Sequence, residues 1–179
     1  MTPEDILNFW FVECEVKDWW QKSDSFDALI RKRFSDIHTA ATLGELAHWR
    51  RRARGRLAEV IILDQFSRNM FRNDPRAFAY DTLALVLAQE AIARGAQRGW
   101  SPTWKSFLYM PFMHSESLQV HEEAVRLFSE PGLEDNLKFE HAHKAIIERF
   151  GRYPHRNEIL GRASTNEELA FLKEPGSSF

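Results

Sequence analysis

Hydrophobic residues recur at spacings of three and four along most of the chain, and no segment alternates apolar and polar residues as a half-buried strand does. Helix-start signals accompany this periodicity. Thr2-Pro3-Glu4-Asp5 supplies an N-cap, a first-turn proline and acids, and Asp74-Pro75 and Ser101-Pro102 repeat the pattern. We therefore predict helices at about 3–13, 24–41, 45–52, 55–72 and 75–94, a short one from 102, then 115–129, 133–150 and one after a capping box of Ser164 and Glu167.

This organisation predicts an all-α protein of about eight or nine helices, in one domain that spans residues 1–179. The loops are short enough to make neighbouring helices antiparallel. No internal sequence repeat stands out, so a repeat architecture would have to be a degenerate one. At least about 60% of the residues are expected to be helical, with no sheet of three or more strands.

Composition narrows the class of protein. Of the 179 residues 44% are hydrophobic, 14 being Phe and 6 Trp, and this load suits a well-packed core. The net charge of −2 argues against a nucleic-acid partner bound by bulk positive charge. A lone Cys14 excludes an internal disulfide, and neither a signal peptide nor an apolar run long enough for a membrane span is found. We expect a cytoplasmic protein that does not associate with membranes.

The first candidate for chemistry is the predicted helix 55–72, on which Asp64, Arg68 and Arg72 line up four residues apart. Aliphatic residues share that stripe, so Asp64 and Arg68 are expected to be substantially buried and paired. An internal ion pair that ties to another helix and part of a binding site both remain open.

The second candidate is the sequence MPFMHSESLQVHEE, residues 110–123, in which Pro111 is expected to end one helix and Ser115 to cap the next. A helix N-terminus attracts anions, and His114 beside it could donate or accept a proton. His114, Ser115 and Glu116 cannot form a catalytic triad by themselves because they are adjacent in sequence. Capping alone would also explain Ser115 and Glu116.

The third candidate is the helix 133–150, whose predicted apolar arc includes His143 but not His141. The other residues of the arc are Phe139, Ala142, Ile146, Ile147 and Phe150. A satisfied core histidine is the usual explanation for such a residue. Metal binding is the alternative, with His114, His121, His143 and His155 as the ligands to be collected. No metal site is predicted, because no spacing such as HExxH places two ligands on one helical face.

The segment 149–162 concentrates Arg149, Arg152, Arg156, Arg162 and His155 around a single acid. Gly151 is predicted to end the preceding helix in a left-handed C-cap, and Pro154 to begin a short helical turn through about residue 160. We expect Arg149 and Arg156 to pair with carboxylates. Arg152 and His155 are expected to keep solvent access beside the 110–123 segment and to contact an anion.

A separate run of arginines in HWRRRARGRL, residues 48–57, is most simply a solvated basic turn, with RNA or a phosphorylated partner as the alternative.

The motifs DQFSRNMFR, MPFMHSE and RFGRYPHRNEILGRASTNEELAFL resemble the bacterial family known as domain of unknown function 924, over essentially the whole chain. The resemblance implies an all-helical, tetratricopeptide-like fold of stacked helix pairs and no established activity. His121 departs from the family pattern, in which Gln is expected. The characteristic positions carried over are Asp64, Gln65, Arg68, Asn69, Arg72, Asp81, His114, Ser115, Glu116, His143, Arg149, Arg152, His155, Arg156, Asn157, Arg162, Ser164, Thr165, Glu167 and Glu168.

Three functions remain open from the sequence: a site for a small anionic ligand, an interaction module that receives a peptide or protein in a groove, and a purely structural role for the motifs. No cofactor is expected, and the oligomeric state is left open. If the protein is an enzyme, His114 or His155 is the candidate acid or base. The residues predicted to bind a ligand are Arg68, Arg72, His114, Ser115, Glu116, His143, Arg152, His155, Arg156 and Asn157.

Overall fold

The computed structural model describes all 179 residues, of which 69% are helical and none lies in a strand. Both the all-α class and the predicted number of helices are confirmed. The nine helices are α1 (Pro3–Asn8, extended by a π-helical turn, Phe9–Glu13), α2 (Val16–Trp20), α3 (Asp24–Thr42), α4 (Ala53–Ile61, continued by a π-helical turn, Ile62–Phe66, and by Ser67–Met70), α5 (Asp81–Ala93), α6 (Pro102–Met113), α7 (Leu118–Phe128), α8 (Glu134–Phe150) and α9 (Asn166–Phe171).

Three 3₁₀ turns connect these helices: Ala47–Arg51, Pro75–Ala77 and Pro154–Arg156. Two of them replace α-helix that the sequence predicted, at 45–52 and at the start of 75–94. At the second, Asp74 caps the turn through the N–H of Arg76, so the Asp-Pro signal starts a 3₁₀ turn and α5 begins only at Asp81. Gly151 ends α8 with φ 68°, as predicted for a left-handed C-cap.

Three local predictions were wrong. Pro111 lies inside α6, which continues to Met113, with His114 as its C-cap. Ser115 does not cap α7, because that helix begins at Leu118 and Ser115 precedes its cap position. The capping box before α9 uses Thr165 and Glu168, one residue beyond the predicted pair. A one-residue difference in where the chain turns decides which of several neighbouring polar residues serves as the cap.

The core is a cluster of 33 buried residues centred on α4, which packs against α1, α3, α5 and α6. Aromatic rings dominate it: Phe34 lies 4.7 Å from Phe9 and 4.8 Å from Phe66 between ring centroids, and Trp10 lies 5.5 Å from Phe107. Such pairs add to the free energy gained from burial. No helix in the protein is long and apolar enough to cross a membrane.

The end of the chain packs differently. The C-terminal segment, residues 151–179, contributes only Tyr153 to a second cluster of three buried residues, with Ile146 and Ile147 of α8. The segment also forms hydrogen bonds and ion pairs with Asp81, His114 and Glu116, and these belong to the candidate functional site.

Candidate functional site

Asp64, in the π-helical turn of α4, is the innermost charged residue of the site and is 1% exposed. Its Oδ1 lies 2.7 Å from Nδ1 of His114, and its Oδ2 accepts a 2.7 Å hydrogen bond from the side-chain amide of Gln65. Arg68 donates to the main-chain oxygen of Asp64 at 2.8 Å and lies 3.3 Å from Oδ1. The prediction that Asp64 and Arg68 are buried and paired is confirmed.

Two further charged groups close this arrangement into a ring. Arg68 holds Asp81, the first residue of α5, through two hydrogen bonds of 2.8 and 2.9 Å. Arg156 contacts the same carboxylate at 3.3 Å and donates to the main-chain oxygen of His114 at 3.0 Å. Phe78 packs on both guanidinium groups, 5.6 Å from that of Arg68 and 4.5 Å from that of Arg156. The ring therefore connects α4, α5, the end of α6 and the C-terminal segment.

A cavity of about 240 Å³ lies beside this ring. Phe78, Leu85, Pro111 and Leu160 contribute its apolar walls. Its polar lining consists of Asp81, Thr82, His114, Ser115, Glu116 and Arg156.

The protonation of His114 follows from its surroundings. Burial, and then the Arg68 guanidinium, lower the pKa of His114, and Asp64 only partly opposes them. Burial would raise the pKa of Asp64, but His114 and Arg68 hold it at about 2. At neutral pH an ionised Asp64 therefore accepts the Nδ1–H of a neutral His114. Nε2 of His114 forms no hydrogen bond within the chain and His114 lines the cavity, so its lone pair is unused.

Glu116, on the cavity wall, is fully engaged by the C-terminal segment. Arg162 donates to its two oxygens at 2.7 and 2.9 Å, and the main-chain N–H of Tyr153 donates at 2.7 Å. These contacts outweigh burial and lower the pKa of Glu116. Glu116 thus anchors the C-terminal segment, and its charge is compensated.

Arg152 keeps the predicted solvent access, with 29% of its side chain exposed, but it pairs with a carboxylate and does not line the cavity. It donates to both oxygens of the buried Glu168 at 2.7 and 2.8 Å, and also to the main-chain oxygen of Ala163. Pairing of Arg149 is confirmed, since it donates to Glu167 at 2.9 Å, and Arg156 pairs with Asp81 as described. The excess of arginine over acid in this segment disappears because acids from distant parts of the sequence complete the pairs.

His143 and His155 lie apart from the cavity, against the ring of Phe179, at 3.7 and 4.5 Å between centroids. Burial lowers the pKa of His143 to about 3 and that of His155 to about 4. His143 is buried as predicted, but the arc on α8 was misplaced, because Phe139 is 62% exposed while Glu140 is fully buried. Neither histidine lines the cavity, and Nδ1 of His155 is buried without a hydrogen-bond partner.

Other predicted ligand residues also serve the fold. Arg72 donates to both oxygens of Asp27 on α3, at 2.6 and 2.8 Å, and buried Asn157 donates to Ser164 at 3.0 Å. Of the ten predicted residues, four line the cavity and Arg68 supports it from behind. The four are His114, Ser115, Glu116 and Arg156.

Sequence reasoning missed the central position of Asp81 and the contributions of Thr82 and Phe78. Asp81 was visible only as a characteristic position of the resembled family. His121, the departure from that family, is fully buried: Nδ1 lies 2.6 Å from Glu140 and Nε2 2.8 Å from the main-chain oxygen of Ser115. Through this contact His121 supports the main chain at Ser115, which lines the cavity.

No group of three or more His, Cys, Asp or Glu side chains is arranged to hold a metal ion.

Comparisons with known proteins place this geometry in a family. The structure is similar to the solved structure of a protein of unknown function from Agrobacterium tumefaciens, with a TM-score of 0.91 and 39% sequence identity over 96% of each chain. No curated protein matches the sequence. Residues 6–176 match a family model described as "Bacterial protein of unknown function (DUF924)", and the chain belongs to that bacterial family.

Proposed function

We propose that the protein binds a small polar molecule with one anionic group in the cavity beside His114, and that His114 acts on it as a general base. The observation that carries this proposal is the 2.7 Å contact between Asp64 and Nδ1 of His114, with Nε2 free at the cavity. A carboxylate that fixes the tautomer of a neutral histidine leaves the second nitrogen ready to accept a proton. A hydroxyl of the ligand, or a water molecule, supplies that proton, which makes hydrolysis or group transfer the reaction class.

Arg156 is the group that would contact the anionic end of the ligand. Asp81, its one carboxylate partner, is 3.3 Å away and is already held twice by Arg68. Burial, and then the charge of Arg68, lower the pKa of Arg156, and the nearby Asp81 and Glu116 only partly oppose them. An anion in the cavity would relieve this, because guanidinium groups bind carboxylate and phosphate oxygens well.

The two alternatives have less support. Six arginines of the characteristic motifs pair with carboxylates, namely Arg68, Arg72, Arg149, Arg152, Arg156 and Arg162. This favours a structural role for those outside the cavity. A purely structural role does not explain the cavity or the free nitrogen of His114. A tetratricopeptide-like interaction groove would require large exposed hydrophobic residues along one surface, and those of this chain are spread in sequence from Met1 to Phe179.

A thermal-shift screen of phosphorylated metabolites, nucleotides and organic acids is the first experiment. A ligand at 100 times its dissociation constant stabilises the fold by about 2.7 kcal/mol. For each hit, the histidine ring signals in NMR spectra report whether His114 is contacted. We expect Arg156→Lys to weaken binding at least about tenfold, because a lysine lacks the planar fork.

Arg152→Gln is the matched control, since Arg152 precedes the Pro154–Arg156 turn and lies outside the cavity. It should leave affinity unchanged while lowering the melting temperature. If a hit is turned over, His114→Gln should reduce the rate by about 10²-fold or more with a smaller change in affinity. A hit that binds His114→Gln and Arg156→Lys as tightly as the parent would place the site elsewhere.

A further inference from the structure

A second cavity, of about 420 Å³, is lined by four arginines: Arg50, Arg51, Arg56 and Arg94. We propose that it binds a phosphate-bearing small molecule with at least two negative charges, such as one with a diphosphate group. It is separate from the cavity beside His114, because α5 carries Asp81 in its first turn and Arg94 at its C-cap. These positions are roughly 20 Å apart along the helix.

Close packing at Gly55 assembles this cavity. A Cβ atom at that position would lie 2.1 Å from the main-chain oxygen of Trp49, so only glycine lets the 47–51 turn rest directly on the first turn of α4. This contact places Arg50 and Arg51 of the turn beside Arg56 of the helix. The arginines are thus brought together by the backbone.

The charges at this cavity do not balance. Arg50 is fixed by the buried Glu59 through hydrogen bonds of 2.8 and 3.0 Å, and Arg94 is 3.7 Å from Glu90. Neither Arg51 nor Arg56 forms an ion pair or a side-chain hydrogen bond anywhere in the chain. Two positive charges are therefore left over. In the C-terminal motifs, by contrast, every arginine has an acid.

The excess positive charge and the size of this cavity indicate which class of ligand it binds. Like charges held close together repel, and an anion that neutralises them is favoured. Two guanidinium groups with all their N–H donors free match the oxygens of a phosphate, and a fixed Arg50 adds a preorganised third. The cavity falls in the size range of small-molecule sites, and only Ala47 and Leu87 are hydrophobic among its lining residues. An extended nucleic-acid surface would instead need basic residues spread over a whole face.

Calorimetric titration of the full chain with inorganic pyrophosphate tests the proposal. We expect the double variant Arg51→Gln/Arg56→Gln to raise the dissociation constant at least about tenfold. The control is Lys32→Gln/Arg98→Gln, which removes the same charge from two residues that have no acid partner and lie outside the cavity. It should leave the dissociation constant within about threefold of the parent value.

His114→Gln should bind pyrophosphate like the parent, which separates this site from the proposed general base. Circular dichroism melting verifies that each variant is folded, and the single variant Arg51→Gln, at an exposed residue, serves if the double variant is not. Equal weakening in both double variants, or no binding of pyrophosphate at about 10 mM, overturns the proposal. Binding of a polyuridine RNA without binding of pyrophosphate also overturns it.

Discussion

The aromatic core and the C-terminal segment are held in place by different forces. Around α4, 33 buried residues form one apolar cluster, in which rings such as those of Phe34 and Phe66 pack face to edge or tilted. The C-terminal segment adds one fully buried ring, Tyr153, with Phe171 and Phe179 packed at the margin, and several directed contacts: Arg156 to Asp81, Arg162 to Glu116, and Arg152 to Glu168.

This difference determines how each region responds to change. Burial of apolar surface is non-directional, so a core accepts many substitutions of similar volume. An ion pair removed from water stabilises a fold only if both partners and their hydrogen bonds are present. The C-terminal segment, which supplies Arg156 to the cavity, should therefore be sensitive to single charge changes and to pH.

The largest effect is expected where the two regions meet, at Asp64. Asp64→Asn keeps the shape of the side chain but removes the buried negative charge that His114 and Arg68 contact, which leaves Arg68 with Asp81 as its one carboxylate partner. Loss of one partner of a buried pair costs about 3–5 kcal/mol of unfolding free energy. Urea denaturation at neutral pH measures this cost.

The double variant Asp64→Asn/Arg68→Gln, compared with the two single variants, measures the coupling free energy between the two residues, because substitutions of contacting charges have non-additive effects. If Asp64→Asn changed the unfolding free energy by less than about 0.5 kcal/mol, the ring of charges would not hold the two regions together.

A smaller loss of stability is expected at acidic pH. The pKa of His155 is about 4 in the folded protein, and that of a histidine in an unfolded chain is about 6.5. The unfolded chain therefore binds more protons between these values, so stability is fully present above pH 6.5 and falls as the pH drops towards 4. The loss from His155 is at most about 3 kcal/mol. His143 acts in the same direction, whereas the raised pKa of the buried Glu140 acts against it.

Urea denaturation of the parent and of His155→Gln at pH 7, 5 and 4 checks this prediction, with His141→Gln, at an exposed position on α8, as the control. We expect the pH dependence to become shallower in His155→Gln and to be unchanged in the control. Identical slopes in all three proteins would mean that the histidines beside Phe179 do not couple the C-terminal segment to pH.

The sequence predicted those parts of the fold that depend on neighbouring residues. The N-cap at Thr2, the left-handed Gly151 and the burial of Asp64 all follow from local spacing, and all are confirmed. The partner of Arg152 could not be predicted, because Glu168 reaches it only once the chain has turned at residues 154–165.

The π-helical turn in α4 could not be predicted from hydrophobic periodicity either, because periodicity assumes a constant rotation per residue. The cavity itself depends on helices that meet only in the folded chain. The sequence could therefore indicate which types of residue line the cavity, but it could not place Asp81 and Thr82 beside His114.

The smallest effect is expected at Arg149, which sharpens the comparison within the C-terminal motifs. Arg149 pairs with Glu167, but the two side chains are 44% and 62% exposed, so water and salt screen their attraction. Arg149→Gln should lower the unfolding free energy by less than about 1 kcal/mol, and 1 M salt should remove most of that difference. Arg152→Gln should lower the melting temperature more, since its partner Glu168 is 2% exposed and would lose both hydrogen bonds. Equal effects of the two substitutions would mean that burial of the acid does not determine how strongly these ion pairs hold the segment. The ring around Asp81 would then have to hold it alone.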